Sequence, residues 1–149
     1  MPVRVRFDPS RILALRRNAQ EVLRKLDVPL HDAARRTLEL SAPLVPRRPP
    51  AEHADAPTSD GPPLPPLADT GFVSDAAYNM TKRLSVSRSA GYEHPQAGPI
   101  HEGVHWGKDI VNPPPHFLKK AFRRSRSVAR KGVQQVLADY LAQLNSRSR

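Results

Sequence analysis

The sequence predicts an α+β fold: a small antiparallel β-sheet packed against a long C-terminal helix, with an N-terminal helix and a long Pro-rich extended loop. Three features point to it. Apolar residues recur at intervals of three and four near both ends of the chain. They alternate at period two in "AYNMTKRLSVSRS". Nine prolines crowd between Pro43 and Pro66. At 149 residues this makes one domain overall. It divides into an N-terminal helical segment (1–42), a Pro-rich arm or loop (43–68), an antiparallel sheet (69–112) and a C-terminal helix (113–149).

The N-terminal helix follows the capping signal Asp8-Pro9-Ser10, and Ile12, Leu15, Ala19, Val22, Leu23 and Leu26 set its apolar stripe. Pro29 interrupts that stripe, because proline removes a backbone donor and its ring clashes with the preceding turn. Leu30, Ala34, Leu38 and Ala42 resume it, either as a second helix or as a continuation after a kink, ending near Pro43. The stretch from Pro43 to Pro66 holds no Phe, Trp or Tyr, and its prolines deny it a ladder of backbone hydrogen bonds. It reads as an extended arm of polyproline character.

Tyr78, Met80, Leu84 and Val86 alternate with polar residues, which predicts a half-buried strand, and Ser89-Ala90-Gly91 supplies a turn. Ile100, Val104 and Trp106 give a weaker alternation, broken by Gly103 and Gly107, as in a return strand or irregular edge. A further strand at 71–73 is expected to join the same sheet. Prolines 113–115 then open the last helix, whose stripe runs about seven turns from Leu118 through Ala121, Phe122, Ser125, Val128 and Ala129 to Leu144. Gly132 weakens it locally by about 1 kcal/mol relative to Ala.

With no cysteine, the chain has no disulfide framework, no thiolate nucleophile and no Cys-ligated zinc. Its first residues lack the apolar core of a signal peptide, and no apolar run approaches the roughly 20 residues that span a bilayer. The formal net charge of +10 favours polyanionic partners. Lys119, Lys120, Arg123, Arg124, Arg126, Arg130 and Lys131 concentrate that charge at the start of the last helix. They are candidates for contact with DNA or with an acidic protein partner.

His101-Glu102-Gly103-Val104-His105 satisfies the H-E-x-x-H pattern, which binds zinc when a helix brings both histidines to one face. Gly98-Pro99 and Gly103 argue against that helix. In an extended segment the two imidazoles stand about 13 Å apart, too far for one ion. The third ligand of the longer pattern is missing as well, and His116 is an alternative ligand. The sequence therefore assigns no catalytic, cofactor or metal residue, and no phosphate loop or nucleophile elbow is present.

Taken in order, the motifs resemble the tailed-bacteriophage neck and tail-completion proteins, the family of tail terminators and head-tail joining proteins. The resemblance rests on Asp69-Thr70-Gly71 at a helix-to-sheet junction, on His101-Glu102-Gly103 at a strand end, and on Pro114, Pro115, Phe117, Leu118 and Ala121 at a helix entry. It spans nearly the whole chain except 44–68. It implies a non-enzymatic virion structural protein without cofactor or membrane contact, assembled into a homo-oligomeric ring, commonly a hexamer. The implied partners are further copies of itself, the tail tube protein and the head-tail connector or adaptor proteins, with nonspecific contact to packaged DNA. The implied location is the neck and tail region of the virion, and the host cytoplasm before assembly. Gly71 would allow the sharp turn from helix to strand, Gly103 the exit from a strand, and Phe117 and Leu118 would anchor the last helix. Trp106 serves either an interface or the core. The competing functions are a basic nucleic-acid-binding protein and, behind it, an H-E-x-x-H zinc hydrolase.

Overall fold

The computed structural model describes residues 16–47, 65–81, 83–105, 109–110 and 115–147. The start of the first helix, most of the Pro-rich arm and Trp106 lie outside the described residues. The fold is α+β. Two long helices, α1 (Ala19–Ser41) and α3 (Phe117–Arg147), pack against each other, and β1 (Gly71–Val73), β2 (Ala77–Asn79), β3 (Ser85–Ser87) and β4 (Ala90–Tyr92) lie between them in sequence. A short α2 (Ala97–His101) precedes the two-residue strands β5 (Val104–His105) and β6 (Asp109–Ile110).

Pro29 does not end the first helix; α1 runs through it as one element. The local loss, about 3 kcal/mol for an interior proline, is offset by packing along α3. The two helices run antiparallel: Lys25 bonds Gln143 at one end, and Thr37 Oγ1 meets Ser125 Oγ at 2.8 Å, buried, towards the other. Between these points Gly132 faces Pro29, and a Cβ built on Gly132 would stand 3.1 Å from the proline Cβ. The glycine that weakens α3 locally is thus where the bulky ring of α1 comes closest.

The strand expected from Tyr78 to Val86 folds back on itself. Asn79 Oδ1 accepts the Thr81 N–H at 3.1 Å and its hydroxyl at 2.8 Å, an Asx turn that closes β2. β3 then returns antiparallel with Tyr78 opposite Val86. Outside this hairpin β1 pairs with β4, Phe72 opposite Gly91, so the residues expected to turn at 89–91 largely belong to a strand. Arg88 ties the hairpin to α1: its Nη2 donates to Asp27 Oδ2 at 2.7 Å, its Nε donates to Asp27 Oδ1, and its Nη1 donates to the Ser74 carbonyl.

The core holds Val45, Leu67, Tyr92, Ile100 and Phe117, flanked by Leu38, Leu44, Ala68, Ala97 and Leu118. Val45 and Leu67 bound the Pro-rich segment, so its two ends dock in the same core. The strands contact α1 and reach α3 through Tyr92, whose ring meets Phe117 edge-on at 5.5 Å. Ser41 Oγ donates to the Leu38 carbonyl, which leaves the Tyr92 hydroxyl to donate to Ser41 at 2.6 Å.

Several apolar positions expected to be covered are open. Tyr78, Met80 and Leu84 are 43%, 51% and 39% exposed, and on α3 Phe122 and Val128 leave the stripe at 56% and 49%. No helix among the described residues is long and apolar enough to cross a membrane.

Candidate functional site

The segment carrying His101 is helical where a pleated strand was expected. Pro99 falls in the first turn of α2, where a missing N–H costs nothing because the first amides of a helix have no intrahelical acceptor. His101 is the last residue of α2, Glu102 caps it, and Gly103 at φ 97° leaves it. Gly103 therefore ends a helix, not a strand. Its left-handed conformation is one that a side chain rarely adopts. That turn splits the H-E-x-x-H pattern between α2 and β5, so His101 and His105 share no helix face.

A different histidine joins the first. His116 immediately precedes α3 with φ 41°, uncommon for a residue with a side chain. Its carbonyl accepts the Lys120 N–H at 2.9 Å, the opening bond of the helix, and its own N–H donates to the His101 carbonyl at 3.1 Å. The two imidazoles meet edge-on with centroids 5.2 Å apart, and the Phe117 ring lies edge-on to His101 at 4.8 Å. Ligand atoms of His101, Glu102 and His116 all lie within 4.8 Å of one another. The Nδ1 atoms of both histidines are buried and make no hydrogen bond to a described residue. Burial holds the His101 pKa below its ordinary value, against the opposing negative charge of Glu102, and the nearby His116 and Lys119 act in the same direction as burial.

The chain thus brings together two imidazole nitrogens and one carboxylate where the sequence assigns no metal ligand. His116 enters the sequence reading only as an alternative ligand. The signal pointing to it is its position between a run of prolines and an amphipathic helix, which makes it a cap at a fixed place in the fold.

The other sequence-selected residues are placed as follows. Asp69 and Thr70 lie in a 3₁₀ turn, Leu67–Thr70, with the Thr70 hydroxyl donating to the Leu67 carbonyl at 2.8 Å. Gly71 enters β1 at φ −65°, ordinary extended backbone, so it serves no sharp turn. A Cβ there would only reach contact with Tyr92 at 3.4 Å and Leu38 at 3.5 Å. Phe117 is fully buried in the core and Leu118 packs against it. Lys119, Lys120, Arg123, Arg124, Arg126, Arg130 and Lys131 are all exposed on α3, and none forms an ion pair with a described residue. They make a cationic surface on the first half of the helix, distant in sequence from its lone carboxylate, Asp139.

Comparison with protein-family models, with characterised proteins and with solved structures returned no match to this chain.

Proposed function

We propose that the chain is a non-enzymatic structural subunit of a tailed-bacteriophage virion, forming a ring in the neck or tail-completion region between tail tube and head connector. The observation that carries this reading is the uncovered apolar face of the β region. Phe72, Tyr78, Met80 and Leu84 are 39–51% exposed; Phe72 and Tyr78 lie on ladders of only two strands each, and Met80 and Leu84 flank the turn between β2 and β3. Two-stranded sheets are marginal alone, and open strand edges invite another chain. In a ring each subunit meets the next through unlike surfaces, so such edges become contacts.

The order of the three motifs supports the same reading. Asp69-Thr70-Gly71 stands at a junction into β1 and Phe117-Leu118 at the entry of the last helix, whereas His101-Glu102-Gly103 closes α2 where a strand end was expected. Electron microscopy of particles made without this protein tests it. Separated heads and tails, restored by supplying the protein, are the expected result; intact, infectious particles that never contained it would overturn it.

The cationic face of α3 favours a second reading, a basic nucleic-acid-binding protein. Binding would rest on phosphate contacts and fall steeply with salt. Fluorescence anisotropy with duplex DNA should then show a steep salt slope, reduced by Arg123→Ala/Arg124→Ala. Absence of binding at low salt removes this reading and leaves the ring untouched.

A further inference from the structure

We propose that His101, Glu102 and His116 form a binding site for a divalent transition ion, Zn²⁺ foremost, which staples the end of α2 to the start of α3. The inference stands apart from the ring reading and does not depend on it.

Four observations converge. The three donor atoms already lie within 4.8 Å of one another. A Zn²⁺ ion with bonds of about 2.0–2.2 Å holds tetrahedral ligands roughly 3.3–3.6 Å apart, so the donors must close by about 1 Å. Glu102, 68% exposed, has the torsional freedom to supply much of that movement. The backbone beneath the site is fixed, because the His116 N–H is bonded to the His101 carbonyl and the His116 carbonyl opens α3. Both Nδ1 atoms are buried without a hydrogen bond to a described residue, although a buried ring nitrogen ordinarily finds one, and Glu102 Oε1 stands 3.9 Å from His116 Nδ1. Finally, His116 holds a left-handed backbone that its side chain disfavours, and such strain concentrates at ligand-binding positions.

The donor set selects the ion. Two imidazoles and a carboxylate suit Zn²⁺, Co²⁺ or Ni²⁺ better than Ca²⁺ or Mg²⁺, which prefer all-oxygen shells. Electrostatics opposes a cation here in one respect, since the start of α3 carries the positive end of the helix dipole and Lys119 lies close. Glu102 supplies the compensating negative charge, which makes it a ligand and not the general base that the H-E-x-x-H pattern would require. Three protein ligands leave a fourth position for water or for a side chain of another subunit.

The test uses the full chain without a histidine tag, stripped with EDTA and titrated with Co²⁺, whose visible bands report coordination geometry. The proposal expects one equivalent bound with intense tetrahedral-type bands, displacement by Zn²⁺, and a higher thermal midpoint with Zn²⁺ than with EDTA. His116→Gln should abolish the bands and Glu102→Gln should weaken binding about tenfold or more, while His105→Gln leaves it unchanged. Should His116→Gln fail to fold, Glu102→Gln decides the matter, with circular dichroism confirming its fold. No visible bands at saturating Co²⁺, or binding that survives Glu102→Gln unchanged, would overturn the proposal. So would loss of binding on His105→Gln.

Discussion

The helical pair and the β region treat their apolar residues in opposite ways. Along α1 and α3 the apolar stripe is largely spent inside the chain: Val22, Leu23, Ala121 and Tyr140 are buried, and the hydroxyls of Thr37 and Ser125 meet between the helices. In the β hairpins the alternation is as regular, yet Tyr78, Met80 and Leu84 stay open. Periodicity thus reports which face is apolar without reporting what covers it. A helix of 31 residues can find its partner within 149 residues. A two-stranded ladder cannot bury a face without a third layer.

The largest expected effect comes at the point where the two regions join. Phe117, fully buried between Tyr92 and His101, leaves a cavity when truncated, and Phe117→Ala should cost about 3–5 kcal/mol in denaturant-induced unfolding. Next comes the helix crossing. Gly132→Leu forces a side chain into the space held by the Pro29 ring and should cost about 1–3 kcal/mol. The same denaturation curve should show that cost with little change in slope.

The hinge between the regions is electrostatic. The hydrogen bond from Arg88, ahead of the opposing effect of burial, holds the Asp27 pKa below its ordinary value. A depressed carboxylate pKa contributes stability above the unfolded value of about 3.9, and that contribution is lost as pH falls through the folded value. Thermal midpoints between pH 6 and pH 2 should therefore fall more steeply for the natural chain than for Asp27→Asn, which lacks this contribution throughout. Parallel curves would remove the hinge.

The smallest effect on stability separates helices from hairpins most cleanly. Met80→Lys and Leu84→Lys change exposed positions and should shift the unfolding free energy of the single chain by no more than about 0.5 kcal/mol. If the proposed ring forms, their effect falls on association instead.

Both long helices are legible in the sequence because a period near 3.6 repeats over many turns, so single exceptions average out. Pro29 misleads because its cost is local, while its compensation sits on another helix at Gly132, more than a hundred residues away. The β region is legible as antiparallel strands but not in its pairing: the side chain of Asn79 turns one expected strand into two. Around His101 the helix-breaking reading of Gly98-Pro99 misses that proline is tolerated in a first turn. The partner of His101 is illegible for a deeper reason. Fourteen residues, three of them prolines, separate it from His116, and the docking of α2 against the entry of α3 brings them together.

A ring requires that another copy of this chain cover the open apolar face of the β hairpins. Sedimentation velocity across a concentration series reads that contact directly when the natural chain is compared with Met80→Lys/Leu84→Lys. The natural chain should form a discrete closed oligomer, and the double variant should remain a monomer with an unchanged circular dichroism spectrum. A natural chain that stays monomeric at every concentration, or a double variant that assembles equally well, would contradict the ring.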